Sequence, residues 1–190
     1  MSNEEENTWD KRYSSGDYKP RQEPSDLLTK WLDEFPPGKA LDLACGTGRN
    51  SLFLAEKGYE VTAIDISPAA IKVAENKALA KGLKINWIVA DLDSFKISGQ
   101  YDVISNFFHV NMKIVPDMIN SLNIGGVLIY QHHLFPPLPL SEPLRHPSSF
   151  KPGELPQLFK DLKVIHYEEQ QVDEEGGRHS YLASLVAKKE

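Results

Sequence analysis

Two hydrophobic rhythms alternate along this chain of 190 residues. Short, nearly continuous apolar runs recur at residues 40–43, 60–64, 85–90, 101–105 and 127–130, and such runs predict buried strands. Between the earlier ones the apolar positions fall at helical spacing instead. Leu27, Leu28, Trp31, Leu32 and Phe35 form one stripe, opened by Pro24-Ser25-Asp26 and closed by Pro36-Pro37-Gly38. A helix starting at Asn50-Ser51-Leu52 ends at Lys57-Gly58, and another follows the Ser67-Pro68 cap with Ile71, Val73, Ala74, Ala78 and Leu79. A further helix is expected over residues 113–122, with Pro116 near its start, and then a turn at Asn123-Ile124-Gly125-Gly126. Residues 131–147 are rich in proline, histidine and leucine without a period, and predict an ordered loop. A short helix to Phe159, a strand over 162–167, an acidic turn over 168–177 and a strand over 181–187 complete the pattern. Alternating strands and helices call for a parallel sheet covered on both faces. The last two strands have no room for a crossover, so they should pair antiparallel.

The first seven residues are polar and acidic, with little reason to be ordered by themselves. Trp9, Tyr13 and Tyr18 follow in a polar setting, serving either as a flap over a ligand or as a fastening for the N-terminus. The expected division is a segment over residues 1–23, with lid character, and one domain over 24–190.

The first apolar run breaks at Ala44-Cys45-Gly46-Thr47-Gly48 and leads straight into a helix. Glycine lets a backbone turn tightly and lets a ligand approach it, and free N–H groups at the helix start face that ligand. Asp65 closes the second strand 19 residues after Gly46. An acid at that place suits the vicinal hydroxyls of a ribose. Asp91 closes the third strand, and Asn106-Phe107-Phe108-His109 follow the fourth. His132 and His133 follow the fifth and open the loop that also holds Arg145 and His146. Imidazole and guanidinium groups offer donors to an oxyanion or a small polar acceptor.

Composition trims the alternatives. Hydrophobic residues make up 41% and charged residues 25%, which argues against disorder. A net charge of −6 with scattered lysines gives no attraction for a phosphate backbone, so no nucleic acid is expected. The single Cys45 excludes an internal disulfide and suits a reducing compartment. With no long apolar run and no leader pattern, a cytoplasmic protein away from membranes is expected. No close set of cysteines or carboxylates completes a metal site. Oligomeric state is not legible.

Taken in order, Leu41-Asp42-Leu43-Ala44-Cys45-Gly46-Thr47-Gly48-Arg49-Asn50, Val61 to Pro68, Asp91-Leu92, the strand at Tyr101 and the Gly125-Gly126 turn resemble the class I S-adenosylmethionine-dependent methyltransferases. The likeness runs from about Pro24 to the end and is nearest to the tellurite-resistance group and related small-molecule methyltransferases. It implies an α/β fold: a seven-stranded, mostly parallel, doubly wound sheet with a reversed last strand and helices on both faces. It implies S-adenosyl-L-methionine as cofactor, held by Asp42, Ala44, Gly46, Gly48, Asn50, Asp65, Ile66, Asp91, Leu92 and Asn106, with Tyr13 expected to close over it from the N-terminal side. Asp65 would take the ribose, Ile66 and Leu92 the adenine faces, and Asp91 the adenine amino group. Ala44 stands where the family most often has glycine, which matters only if the backbone there needs positive φ. The acceptor would be a small molecule, a thiol or a tellurium or selenium oxyanion, met by Phe108, His133 and Arg145. His109 and His132 are the catalytic candidates if a base is used. A nicotinamide-dependent oxidoreductase and a non-catalytic S-adenosylmethionine-binding domain are the rival expectations.

Overall fold

The computed structural model describes residues 2–16, 18–135, 149–174 and 178–190. Seven strands form one sheet in the order β3-β2-β1-β4-β5-β7-β6. Strands β1 (Lys39–Leu43), β2 (Glu60–Asp65), β3 (Ile85–Val89), β4 (Tyr101–Phe107) and β5 (Leu122–His133) run parallel. The hairpin of β6 (Lys163–Glu174) and β7 (Arg178–Lys188) inserts β7 antiparallel beside β5. The chain has the class I S-adenosylmethionine-dependent methyltransferase fold.

Side-chain alternation along each strand splits the core in two. Leu41, Leu43, Ile104, Leu128 and Tyr130 point to the face covered by α5 (Val115–Asn120) and α6 (Glu154–Leu158). Ala40, Val61, Ala63, Val103 and Ile129 point to the other, with Leu28 and Leu32 of α2 (Asp26–Leu32), Leu54 of α3 (Arg49–Glu56) and Ile71 of α4 (Pro68–Ala80). Burial on both faces is why these strands read as unbroken apolar runs. The sheet reverses its winding between β1 and β4, and the crevice outside the strand ends at such a point is where open α/β sheets take ligands.

Five local expectations need correction. The acidic start is helical: α1 spans Ser2–Ser15. Trp9 and Tyr13 lie one helical turn apart and stack at 6.0 Å, so the helix has a face to dock. The helix expected over 113–122 is shorter, because Leu122 already pairs with Tyr101 as the start of β5. The Asn123 to Gly126 turn lies inside that strand as a bulge, where the register jumps from Tyr101↔Leu122 to Val103↔Val127. A Cβ on Gly126 would sit 2.9 Å from the Asn123 carbonyl oxygen, so only glycine fits. Residues 131–133 continue β5 instead of opening the loop, and residues 136–148 lie outside the described part. The acidic run from Glu168 to Glu174 is strand, not turn, because a hairpin edge open to water accepts charged positions.

Candidate active site

The carboxyl ends of five parallel strands surround one cavity of about 720 Å3, within the range usual for small-molecule sites. Ala44 to Thr47, Arg49 and Asn50 form its floor, Asp65 and Ile66 one side, and Asp91 to Asp93 the far corner. Phe107 to Val110 with His132 and His133 close the opposite end. Trp9, Arg12, Tyr13, Tyr18, Pro20 and Arg21 come over it from the N-terminal side.

Asp65 is the best-anchored group. Its Oδ2 accepts from the Gly46 N–H at 2.7 Å and its Oδ1 from the Ser67 N–H at 3.0 Å. One buried carboxylate thereby ties the glycine turn to the second strand end, and its remaining lone pairs are free for hydroxyls. Burial raises its pKa, with the bonds from Ser67 and Gly46 working against that rise. Tyr13 hangs over the turn, its hydroxyl 2.8 Å from where a Gly46 Cβ would stand. Burial and then the Asp65 charge push the Tyr13 pKa upward, so the phenol stays protonated and can donate. In the far corner Asp91 Oδ1 accepts from Asp93 N–H at 2.9 Å, and Asn111 Nδ2 holds both the Leu92 carbonyl and Asp93 Oδ1 at 3.0 Å.

The glycine turn is conformationally demanding. Gly46 has φ +55° and Gly48 φ +80°, and a Cβ on Gly48 would stand 2.8 Å from Trp87 and 2.9 Å from Ala74. Ala44 is also left-handed at φ +53°, so the condition under which alanine matters is met here. The sequence carries a Cβ where glycine would be at ease, at about 1 kcal/mol or more. Phe108 is the second strained residue, with φ +63°. The kink after β4, held by the Phe108 N–H to the Gln131 carbonyl at 2.9 Å, turns its ring beside His133 at 5.0 Å.

Not every expected residue reaches the cavity. Asp42, Gly48 and Asn106 do not line it. Asp42 is 1% exposed and accepts from the Ser51 and Ser105 hydroxyls at 2.5 and 2.7 Å. It braces β1 against α3 and β4. Burial raises its pKa to about 6, against the pull of those two hydroxyls. Asn106 is buried with its Oδ1 lacking a hydrogen-bond partner among the described residues. Asn50 lines the floor, and its Oδ1 accepts from the Ser25 N–H at 2.9 Å. His132, 3% exposed, and half-buried His133 stand side by side at 5.5 Å, His132 also against Phe150 at 5.7 Å. The Nε2 of His109 is buried without a hydrogen-bond partner among the described residues. Burial lowers its pKa, partly offset by Asp93 and Asp91, and keeps the ring neutral. Arg145 lies outside the described residues. Among those described, no group of three or more His, Cys, Asp or Glu is arranged to hold a metal ion, and no helix is long and apolar enough to cross a membrane.

Arg12, Arg21, Thr47 and Arg49 line the cavity although none was a sequence candidate. Thr47, between the two glycines, and Arg49, adjoining Gly48, carried a signal that position along the chain could expose.

The sequence profile of the tellurite resistance protein TehB matches residues 6–180. The chain belongs to the TehB family. The match begins inside α1, well before Pro24. The "Probable S-adenosyl-L-methionine-dependent methyltransferase TehB" of Haemophilus influenzae is 32% identical over 167 residues, covering 80% of this chain and 58% of that protein. The chain thus spans less than two thirds of that TehB relative's length. The crystal structure of TehB from Haemophilus influenzae superposes with a TM-score of 0.78 at 26% identity, covering 96% of this chain and 67% of the other. A SAM-dependent methyltransferase from Methanosarcina mazei, 21% identical, shares the fold with a TM-score of 0.70 over 88% of this chain and 98% of its own. S-adenosylmethionine is the cofactor of this fold and family. The residues present suit it: a buried acid beside a bare glycine backbone, a second acid in the far corner, and a ring-lined end beyond.

Proposed function

We propose that this TehB-family chain transfers a methyl group from S-adenosylmethionine to a small acceptor, a thiol or a tellurium or selenium oxyanion. What carries the proposal is the anchoring of Asp65 to the Gly46 N–H at 2.7 Å, which puts a carboxylate and a bare backbone on one nucleoside-sized space. Bound there, the cofactor supplies a methyl group on a positively charged sulfur. Asp65 would accept from the ribose hydroxyls and Asp91 from the adenine amino group, and Ile66 and Leu92 would flank the base. The Gly46 turn would hold the methionine part, with Tyr13 over that turn. Asp42, Gly48 and Asn106 would support that turn. Phe108 offers a ring face to a cation and closes the acceptor end with His133.

A soft nucleophile needs alignment and dryness more than proton removal. A neutral His109 is nevertheless able to take a proton, and His132 faces the same end. Alanine at either position should lower turnover while S-adenosylhomocysteine binds within about threefold of wild type, a change under about 0.7 kcal/mol. Isothermal calorimetry and a turnover assay with thiol and selenite acceptors check this. Unchanged turnover in both variants removes the histidines from the chemistry, and heat with NAD(H) but none with S-adenosylhomocysteine removes the cofactor assignment.

The N-terminal segment acts as a lid over the 24–190 domain. Asp10 Oδ1 accepts from the Ala69 N–H at 2.8 Å and the Ser67 hydroxyl at 2.9 Å, capping α4 from outside. Pro68 has no N–H and Ala70 is served by Ser67 itself, so Asp10 takes the orphan donor left over. Gly16, left-handed and with nothing near its would-be Cβ, supplies a bend between α1 and the strap over residues 18–23. Saturating S-adenosylhomocysteine should slow tryptic cleavage at Lys11 and Arg12 about tenfold in wild type and much less in Asp10→Ala, the loss of a helix cap being worth about 1 kcal/mol. Equal cleavage with and without ligand in wild type defeats the lid.

A further inference from the structure

We propose that Asn111 is a positioning residue that aims the Asp91 carboxylate and so sets the preference for an amino-bearing base; the inference rests on the S-adenosylmethionine site proposed above. Asn111 lies in the loop after β4, is 8% exposed and does not line the cavity. Its side chain is committed within the protein. Nδ2 donates to the Leu92 carbonyl and to Asp93 Oδ1, both at 3.0 Å, and Oδ1 accepts from the Lys113 N–H at 2.9 Å. A side-chain amide has two N–H donors, and here both are spent on the far corner of the cavity. Such a group holds a binding loop without touching what the loop binds.

Leu92 and Asp93 line the cavity and directly follow Asp91. The Asp93 N–H donates to Asp91 Oδ1 at 2.9 Å, so whatever fixes residue 93 also fixes the carboxylate before it. The Asp91 carbonyl accepts from the Ser94 and Phe95 N–H groups at 3.1 and 2.9 Å, which makes residues 91–95 one tight turn. Asn111 fastens that turn to the loop after β4, and the loop is itself fastened to β5. There the Phe108 N–H donates to the Gln131 carbonyl at 2.9 Å, and the Tyr130 hydroxyl donates to the His109 carbonyl at 2.7 Å. The other tie between corner and loop is the exposed Lys113 Nζ, 3.6 Å from Asp93 Oδ2, and a surface ion pair of that kind adds little. Buried amide bonds with fixed directions do more. A carboxylate held in one direction separates a donor from an acceptor on the edge of a base, whereas one free to turn does not.

Calorimetry with S-adenosylhomocysteine and S-inosylhomocysteine (which carries an oxygen in place of the adenine amino group) tests this. Wild type should prefer the adenine ligand by about tenfold or more, the worth of one hydrogen bond to a charged acceptor. Asn111→Ala should cut that ratio by more than about threefold, chiefly through weaker binding of S-adenosylhomocysteine. Asn111→Asp, of the same size but with no N–H to give, should do the same. A merely structural role weakens both ligands together and leaves the ratio alone. A ratio that stays within about threefold of wild type, whether affinity is kept or lost toward both ligands, overturns the proposal. Melting curves without ligand identify a variant that has lost its fold. Asn111→Asp still accepts from the Lys113 N–H, so it carries the test if Asn111→Ala is unstable. A wild type that binds both ligands equally overturns the proposal together with the role of Asp91. One that binds neither refutes the cofactor site itself, and that result is distinct from all of these.

Discussion

Asp65→Ala should reduce S-adenosylhomocysteine affinity by at least about a hundredfold, roughly 2.7 kcal/mol, and should destabilise the ligand-free protein as well. The ribose loses its acceptor, and the Gly46 and Ser67 N–H groups lose theirs. Each buried donor left unpaired costs about 1–3 kcal/mol. In a chain of this size that lowers the melting temperature by roughly 5–15 °C. Asp65→Asn retains one acceptor oxygen and should fall between. Because burial raises the Asp65 pKa, its ionised form is lost earlier on acidification than an ordinary carboxylate's would be. Ligand affinity should therefore fall as pH drops through that raised value. Calorimetry across an acidic pH series measures both effects, and an alanine variant that binds within threefold of wild type would show that the ribose is held elsewhere.

The second large effect concerns Asp42 and appears in stability. Its pKa is about 6 in the folded protein against 3.8 when free. Between those values the folded state holds the proton more tightly than the unfolded chain does. The stabilisation is therefore complete below about pH 4 and is lost as pH rises through about 6, a penalty of up to about 3 kcal/mol at neutral pH. Asp42→Asn removes the titration. Its amide can accept from one serine and donate to the other, so the brace between Ser51 and Ser105 survives. The variant should match wild type near pH 4 and exceed it in stability above pH 6. Urea unfolding at several pH values decides: two curves that stay parallel mean the carboxylate is not strained by its burial.

The parallel strands were legible because both faces of β1, β2, β4 and β5 are buried, which leaves no polar alternation to confuse the pattern. Gly46, Gly48 and Asp65 were legible because a tight turn and a strand-end acid leave a fixed spacing. Helix α1 was not, since its order comes from docking: Asp10 on the start of α4 and two rings one turn apart. The lengths of β6 and β7 were hidden for a related reason. Pairs such as Tyr181 with Gln171 and His179 with Asp173 stabilise strands that are polar along their sequence. The kink at Phe108 has no local signature, because a bulky residue at positive φ is held by its surroundings, here the Gln131 carbonyl. Arginines contributed by α1, the strap and α3 converge only in three dimensions. Chain order therefore exposed the nucleoside half of the cavity and missed most of its basic rim.

The position of β7 has a further consequence for biosynthesis. Residues 178–188 fill the slot between β5 and β6, so the exposed flank of β5 stays unpaired while the ribosome is still adding them. During that interval the nascent chain carries a bare, apolar strand border able to stick to a neighbouring nascent chain. Its escape from clumping depends on how quickly the last strand arrives and zips in.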